Sequence, residues 1–280
     1  MSDPLVSTAW LAERLGSADL RIIDATWFMP GEARTGRQAY AEGHIPGAVF
    51  FDIDGISDRS TDLPHMLPAA DAFAEAAGAL GLRRDLTLVV YDGQGIFSAP
   101  RVWWTLRTMG FPEVFVLDGG LLKWRAEGRP LETSTPVPTP STIEPAFDPS
   151  LVRDLEQVRR TLEVHDAQVV DARAGARFRG ETPEPRAGLR SGHMPGARNV
   201  PWNELINPDG TMKSAGELRA AFEGMGVDLD DPIVTTCGSG VSAALLALAL
   251  ARLGREDVAV YDGSWTEWGG RADTPVATGA

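Results

Sequence analysis

Thr236-Cys237-Gly238-Ser239-Gly240-Val241-Ser242-Ala243 lies between the apolar run Pro232-Ile233-Val234-Thr235 and a run of strong helix formers, 244–253. The first run reads as a buried strand and the second as a helix, so a strand hands the chain to a helix through a short Gly/Ser loop. That loop holds the only cysteine among the 280 residues. Its glycines let the backbone curl and turn successive N–H groups inward, and a helix N-terminus adds partial positive charge. Both features stabilise negative charge, and the thiolate is the nucleophilic form of cysteine. A lone cysteine is as often a small buried hydrophobe. The Gly-Ser-Gly turn favours a chemical role, because packing alone has no use for it.

The strand–helix alternation continues outward from this stretch. Residues 7–15, 69–80 and 99–109 read as helices, and 20–25, 49–54, 86–92 and 114–118 read as strands. Such alternation predicts an α/β fold with a mostly parallel sheet covered by helices on both faces. The pattern then repeats. Gln168-Val169-Val170-Asp171-Ala172 echoes Arg21-Ile22-Ile23-Asp24-Ala25, and Gly192-His193-Met194-Pro195-Gly196-Ala197 echoes Gly43-His44-Ile45-Pro46-Gly47-Ala48. Tyr261-Asp262-Gly263 followed by Trp268 echoes Leu117-Asp118-Gly119 followed by Trp124. Echoes that keep their order along the chain predict two copies of one domain, 1–130 and 151–280. Between them, 131–150 carries Pro136, Pro138, Pro140, Pro145 and Pro149 and reads as a semi-rigid linker. The strand that ends at Cys237 in the second copy ends at Asp92 in the first, so only the second copy is expected to be chemically active.

A formal net charge of −13 argues against nucleic acid and anionic membrane surfaces as partners. The longest apolar run falls well short of the roughly 20 residues a membrane span needs. One cysteine excludes an internal disulfide, and no metal or organic cofactor site is visible. Met1-Ser2-Asp3-Pro4-Leu5 has no basic and apolar leader pattern, so the expectation is a soluble cytoplasmic protein. The individual residues remain ambiguous by themselves. Arg177 and Arg186 also fit solvent-facing arginines in polar loops, His65 a packing histidine, and Asp54 a turn aspartate. His44 and His193 recur in both copies, so an architectural role is expected for them.

Together the motifs resemble the rhodanese superfamily, and Cys237-Gly238-Ser239-Gly240-Val241-Ser242-Ala243 is similar to the loop of its tandem-domain branch that acts on 3-mercaptopyruvate. Asp171-Ala172-Arg173, Arg177-Phe178, Pro183-Glu184-Pro185-Arg186, Phe51 to Asp54 and His65 to Pro68 fit the same branch. Ser242 departs from the usual threonine but keeps the hydroxyl. The resemblance implies two tandem rhodanese-like domains. It implies a sulfurtransferase in which Cys237 takes sulfur from a small donor, 3-mercaptopyruvate or alternatively thiosulfate, and passes it to a thiol, a thioredoxin-like protein or cyanide; a non-enzymatic persulfide carrier is the weaker alternative, because Cys237 stands in an intact loop. It further implies substrate binding by Arg177, Arg186 and the loop residues Gly238, Gly240, Val241 and Ser242, and proton handling by Ser239, His65 and Asp54. A cysteine phosphatase needs an arginine six residues after the nucleophile to hold phosphate, and Ala243 stands there.

Overall fold

The computed structural model describes residues 3–29 and 31–279. The chain forms two compact units: one of the residues up to Arg59 with Leu67–Asp148 and Asn207–Met212, the other of Ser60–Met66, Pro149–Ile206 and Lys213–Ala280.

The first unit runs β1 (Leu5–Val6), α1 (Thr8–Ala12), β2 (Leu20–Asp24), α2 (Gly36–Glu42), β3 (Val49–Phe50), α3 (Ala70–Ala79), β4 (Thr87–Tyr91), α4 (Ala99–Thr108), β5 (Val114–Leu117) and α5 (Gly120–Ala126). The second runs β6 (Val152–Arg153), α6 (Leu155–Val164), β7 (Gln168–Asp171), α7 (Gly175–Phe178), β8 (Arg198–Asn199), α8 (Ala215–Gly224), β9 (Ile233–Thr236), α9 (Val241–Arg252), β10 (Ala259–Tyr261) and α10 (Ser264–Trp268). The sheets have orders β1-β5-β4-β2-β3 and β6-β10-β9-β7-β8, which are the same order. Every strand pairing in them is parallel. The expected α/β architecture is therefore present in both units.

Parallel strands covered on both faces read as continuous apolar runs. Accordingly Leu88, Val89, Val90 and Tyr91 of β4 are all fully buried. Val89 and Tyr91 face one layer with Leu11 of α1 and Leu121 and Trp124 of α5. In the second unit Val234 and Tyr261 meet Leu155 and Val158 of α6 and Trp265 and Trp268 of α10. The strand expected over 49–54 stops at Phe50, because the chain turns at Asp52: its carbonyl accepts from Ile56 N and its carboxylate from Gly55 N.

The paired histidines are architectural in the same way. His44 Nδ1 lies 2.8 Å from Tyr40 O and the ring stacks on Tyr40 at 3.8 Å. His193 Nδ1 lies 2.8 Å from Phe178 O and its ring stacks on Phe178 at 3.8 Å.

Residues 131–148, expected as a linker, belong to the first unit. Their carbonyls and amides, which proline-rich segments leave unpaired, find partners on its surface. Ser141 N donates to Gly78 O, Glu144 O accepts from Arg84, and Asp148 N donates to Thr108 O.

Gly78 is the residue of α3 that permits this contact, since a Cβ there would stand 2.4 Å from Ser141 O. Glycine to alanine inside a helix normally stabilises by about 1 kcal/mol, whereas overpacking costs roughly 1–3 kcal/mol. Ser141 is anchored on α3 because its N–H donates to Gly78 O and its hydroxyl to Leu82 O, so its carbonyl has little room to give and the second effect wins. Gly78→Ala is expected to lower the denaturation midpoint; an unchanged or raised midpoint contradicts the packing.

Asp24 gives a second test. It is fully buried, its carboxylate accepts from Thr26 N, and burial pushes its pKa up. The folded state thus holds the proton more tightly than the unfolded chain, and stability falls as pH rises from the ordinary carboxylate range through the raised value. Asp24→Asn is expected to be more stable than the parent at pH 8, with the advantage shrinking at pH 4. Thermal unfolding at the two pH values checks the sign.

Candidate active site

β9 lies between β10 and β7, inside the second sheet. Its last residue, Thr236, delivers Cys237 to the C-terminal edge of the strands, the edge at which open parallel sheets form binding crevices. Gly240 caps α9 with φ 81°, a left-handed conformation that glycine adopts without penalty, and no side chain caps the helix. The first N–H groups of a helix have no intrahelical carbonyl, so this terminus presents donors at the cysteine loop. Cys237 is a free cysteine, 2% exposed. Val241 and Ser239 are buried with it.

The strand-to-helix turn after β10 clamps the loop. Trp265 N donates to Cys237 O at 2.9 Å, and Thr266 donates to Gly238 O through both its N–H (2.9 Å) and its hydroxyl (2.6 Å). Cys237 N donates to Ser264 Oγ at 3.3 Å, and that hydroxyl donates to Tyr261 O at 2.8 Å. Ser264 holds φ 50°, a conformation unfavourable for a residue with a Cβ. Its counterpart is Gly120, φ 52°, because Leu121 N donates to Asp92 O as Trp265 N does to Cys237 O.

A buried ionic chain approaches the loop from β7 and α7. The Arg173 guanidinium is wholly buried, pairs with Asp171 at 2.7 Å and Glu184 at 3.0 Å, donates to Gly192 O, and lies 4.1 Å over the Trp265 ring. Arg177 makes two bonds to the same Glu184, Nε to Oε1 at 3.2 Å and Nη2 to Oε2 at 2.5 Å. A Cβ on Gly238 would stand 3.2 Å from Arg177 Nη2, so the guanidinium lies against the cysteine loop. The fold thus brings Arg177, Gly238, Gly240, Val241, Ser239, Ser242 and Cys237 into one unit around one turn. Arg186 sits half-buried in the segment after Glu184.

His65 belongs to this second unit through the segment Ser60–Met66; it is 6% exposed and holds φ 63°. Asp54 belongs to the first unit, where its carboxylate accepts from Trp27 Nε1 at 2.9 Å. Among the described residues, no group of three or more His, Cys, Asp or Glu is placed to hold a metal ion, and no helix is long and apolar enough to cross a membrane.

The first unit has a longer loop, 92–98, at the same place, with a different occupant. Asp92 Oδ1 accepts from Gln94 N, and Oδ2 from Phe97 N, Ser98 N and Ala99 N, all at 2.8–2.9 Å. Burial raises its pKa against the opposing pull of those amides. The chain's own carboxylate fills the ring of N–H donors, a physical account of why this copy carries no nucleophile. Sequence reading did not assign roles to Glu184 and Ser264. The Pro183-Glu184-Pro185-Arg186 motif was visible, but the partners of Glu184 lie seven and eleven residues away around a turn.

A model of the rhodanese-like domain matches the chain twice, over residues 7–127 and 154–271. The 3-mercaptopyruvate sulfurtransferase of Escherichia coli K12 is 48% identical, with 97% of this chain and 96% of that protein aligned. The 3-mercaptopyruvate sulfurtransferase of Homo sapiens is 45% identical, with 96% of this chain and 92% of that protein aligned. The crystal structure of SseA from Escherichia coli, described under the rhodanese fold and the catalytic mechanism of 3-mercaptopyruvate sulfotransferases, superposes with a TM-score of 0.87. It is 45% identical and covers 94% of this chain and 99% of that one. With both repeats matched and the likeness spanning nearly the whole chain, the protein belongs to the rhodanese family.

Proposed function

We propose that the protein is a sulfurtransferase that moves the sulfur of 3-mercaptopyruvate through a Cys237 persulfide to a thiol or cyanide acceptor and releases pyruvate. The observation that carries this reading is Cys237 in a clamped loop at the N-terminus of α9, with the Arg177 guanidinium against Gly238. The Cys237 thiolate attacks the donor sulfur. The Sγ–S bond forms as the donor's C–S bond breaks, and its electron pair leaves on carbon as the pyruvate enolate, which takes one proton to become pyruvate. An acceptor thiolate or cyanide then attacks the outer sulfur and regenerates the Cys237 thiolate.

Negative charge builds on the enolate oxygen and on the persulfide. Donors already fixed in a buried loop stabilise such charge without reorganising. The N–H groups from Gly238 to Ser242 take this role for the persulfide. Planar guanidinium groups suit a carboxylate next to a carbonyl because they donate paired hydrogen bonds, which gives Arg177 and Arg186 the donor's oxygens. The loop side chains are neutral, so hydrogen bonds from the two guanidinium groups supply the recognition. Ser239 and His65, both of the second unit, handle the proton. For Asp54 the role rests on the resemblance alone. A cytoplasmic setting and a thioredoxin-like acceptor belong to the same proposal.

Cys237→Ser keeps the volume and the loop, so sulfur transfer is expected to vanish while the melting temperature stays near the parent's; retained turnover contradicts the persulfide route. Arg186→Ala removes charge-assisted bonds worth about 1.5–3 kcal/mol each. The Michaelis constant for 3-mercaptopyruvate is then expected to rise by roughly one to two orders of magnitude, more than that for thiosulfate. Steady-state kinetics with cyanide as common acceptor decides this, and equal effects on both donors argue against carboxylate recognition. A parent enzyme that prefers thiosulfate favours the alternative donor with the same cysteine.

A further inference from the structure

The guanidinium that lies against Gly238 is already neutralised from within the protein. Arg177 presents two of its nitrogens to Glu184, whose side chain is 1% exposed, while Arg177 itself keeps 24% exposure. Glu184 also accepts from Arg173, and Arg173 is matched in turn by Asp171. The four side chains make a chain of alternating sign, two acids and two bases, whose charges cancel. Buried charges interact through a low effective dielectric and are screened little by salt. An anion arriving at Cys237 therefore meets Arg177 as a hydrogen-bond donor with little net attraction, and the attraction it misses doubles for an ion of twice the charge.

We propose that Glu184 is a specificity-determining residue: by cancelling the charge of Arg177 it favours a singly charged organic donor over a doubly charged inorganic one. The inference rests on the sulfurtransferase reading for its choice of donors, while the neutralisation stands on the geometry. It places the discrimination between donors in the carboxylate behind the arginine, and the cysteine loop itself need carry no charged side chain.

Two readouts on Glu184→Gln test it. In the first, sulfate protects Cys237 from iodoacetamide, a measurement that needs no turnover. E184Q is expected to be protected at about tenfold lower sulfate than the parent, the effect of one uncompensated charge a few ångströms away at partial screening. In the second, the ratio of kcat/KM for thiosulfate to that for 3-mercaptopyruvate is expected to rise about tenfold. Unchanged sulfate protection, or an equal fall for both donors, overturns the proposal and leaves Glu184 a brace for Arg177. Should the sulfate result hold while the parent turns over neither donor, the charge assignment survives and the sulfurtransferase reading fails. Glu184→Asp keeps the charge and carries the test if E184Q does not fold. Its donor ratio is expected to stay at the parent's value, and a tenfold shift overturns the proposal.

Discussion

A buried parallel strand cannot turn back at its end; it must release the chain at the edge of the sheet into a helix that covers one face. At β9 that release happens at Cys237, and the helix that receives it is itself apolar nearly all round, with Val241 and every residue from Ala243 to Ala251 buried. Neither element can shift without opening the core of the unit. The loop between them is fixed at both ends, and bonds from Trp265 N and Thr266 to its carbonyls hold it from the side. The position of Cys237 thus follows from the constraint on the strand.

The two copies show what that constraint leaves free. Both have the same strand order, the same histidine stacked on an aromatic ring, and the same bond from the turn after the last strand to the loop. Three of the positions at which they differ bear on the loop. Cys237 stands where Asp92 folds its carboxylate into four amides. Arg173 stands where Thr26 follows Asp24, so Asp171 has a guanidinium partner while Asp24 has a Thr26 amide and a raised pKa. Ser264 stands where Gly120 is, and accepts the cysteine's own N–H. In the first unit Gly120 packs so closely that a Cβ would meet Gly95 O at 2.2 Å. One scaffold thus holds a carboxylate in one copy and a free cysteine in the other through a few side chains.

The ionic chain behind the loop ties the stability of the unit to the position of the cysteine loop. Removing one partner of a buried pair strands the other and costs about 3–5 kcal/mol, so Asp171, Arg173 and Glu184 hold one another in place. Arg173 also stacks on Trp265, whose amide grips Cys237, so one guanidinium braces the ionic chain and the cysteine clamp together.

Much of this is written in local sequence. Apolar runs of four or five residues, the Gly-His-Met/Ile-Pro-Gly-Ala turns and the strand–loop–helix around Cys237 all act over about ten residues, the range at which periodicity and turn chemistry operate. They suffice for the α/β class and the repeat, and they single out Cys237 as the candidate nucleophile. The sequence also puts Arg177 and Arg186 in the same copy as Cys237. Only the tertiary structure decided that the proline-rich stretch packs on the first unit, that Ser60–Met66 joins the second, that Asp92 fills its own loop and that Glu184 neutralises Arg177. Each of these depends on which unpaired backbone or charged group finds a partner once the chain has closed. A carboxylate or carbonyl carries no mark in the sequence of the group it will meet, because that partner is chosen by the geometry of the whole fold.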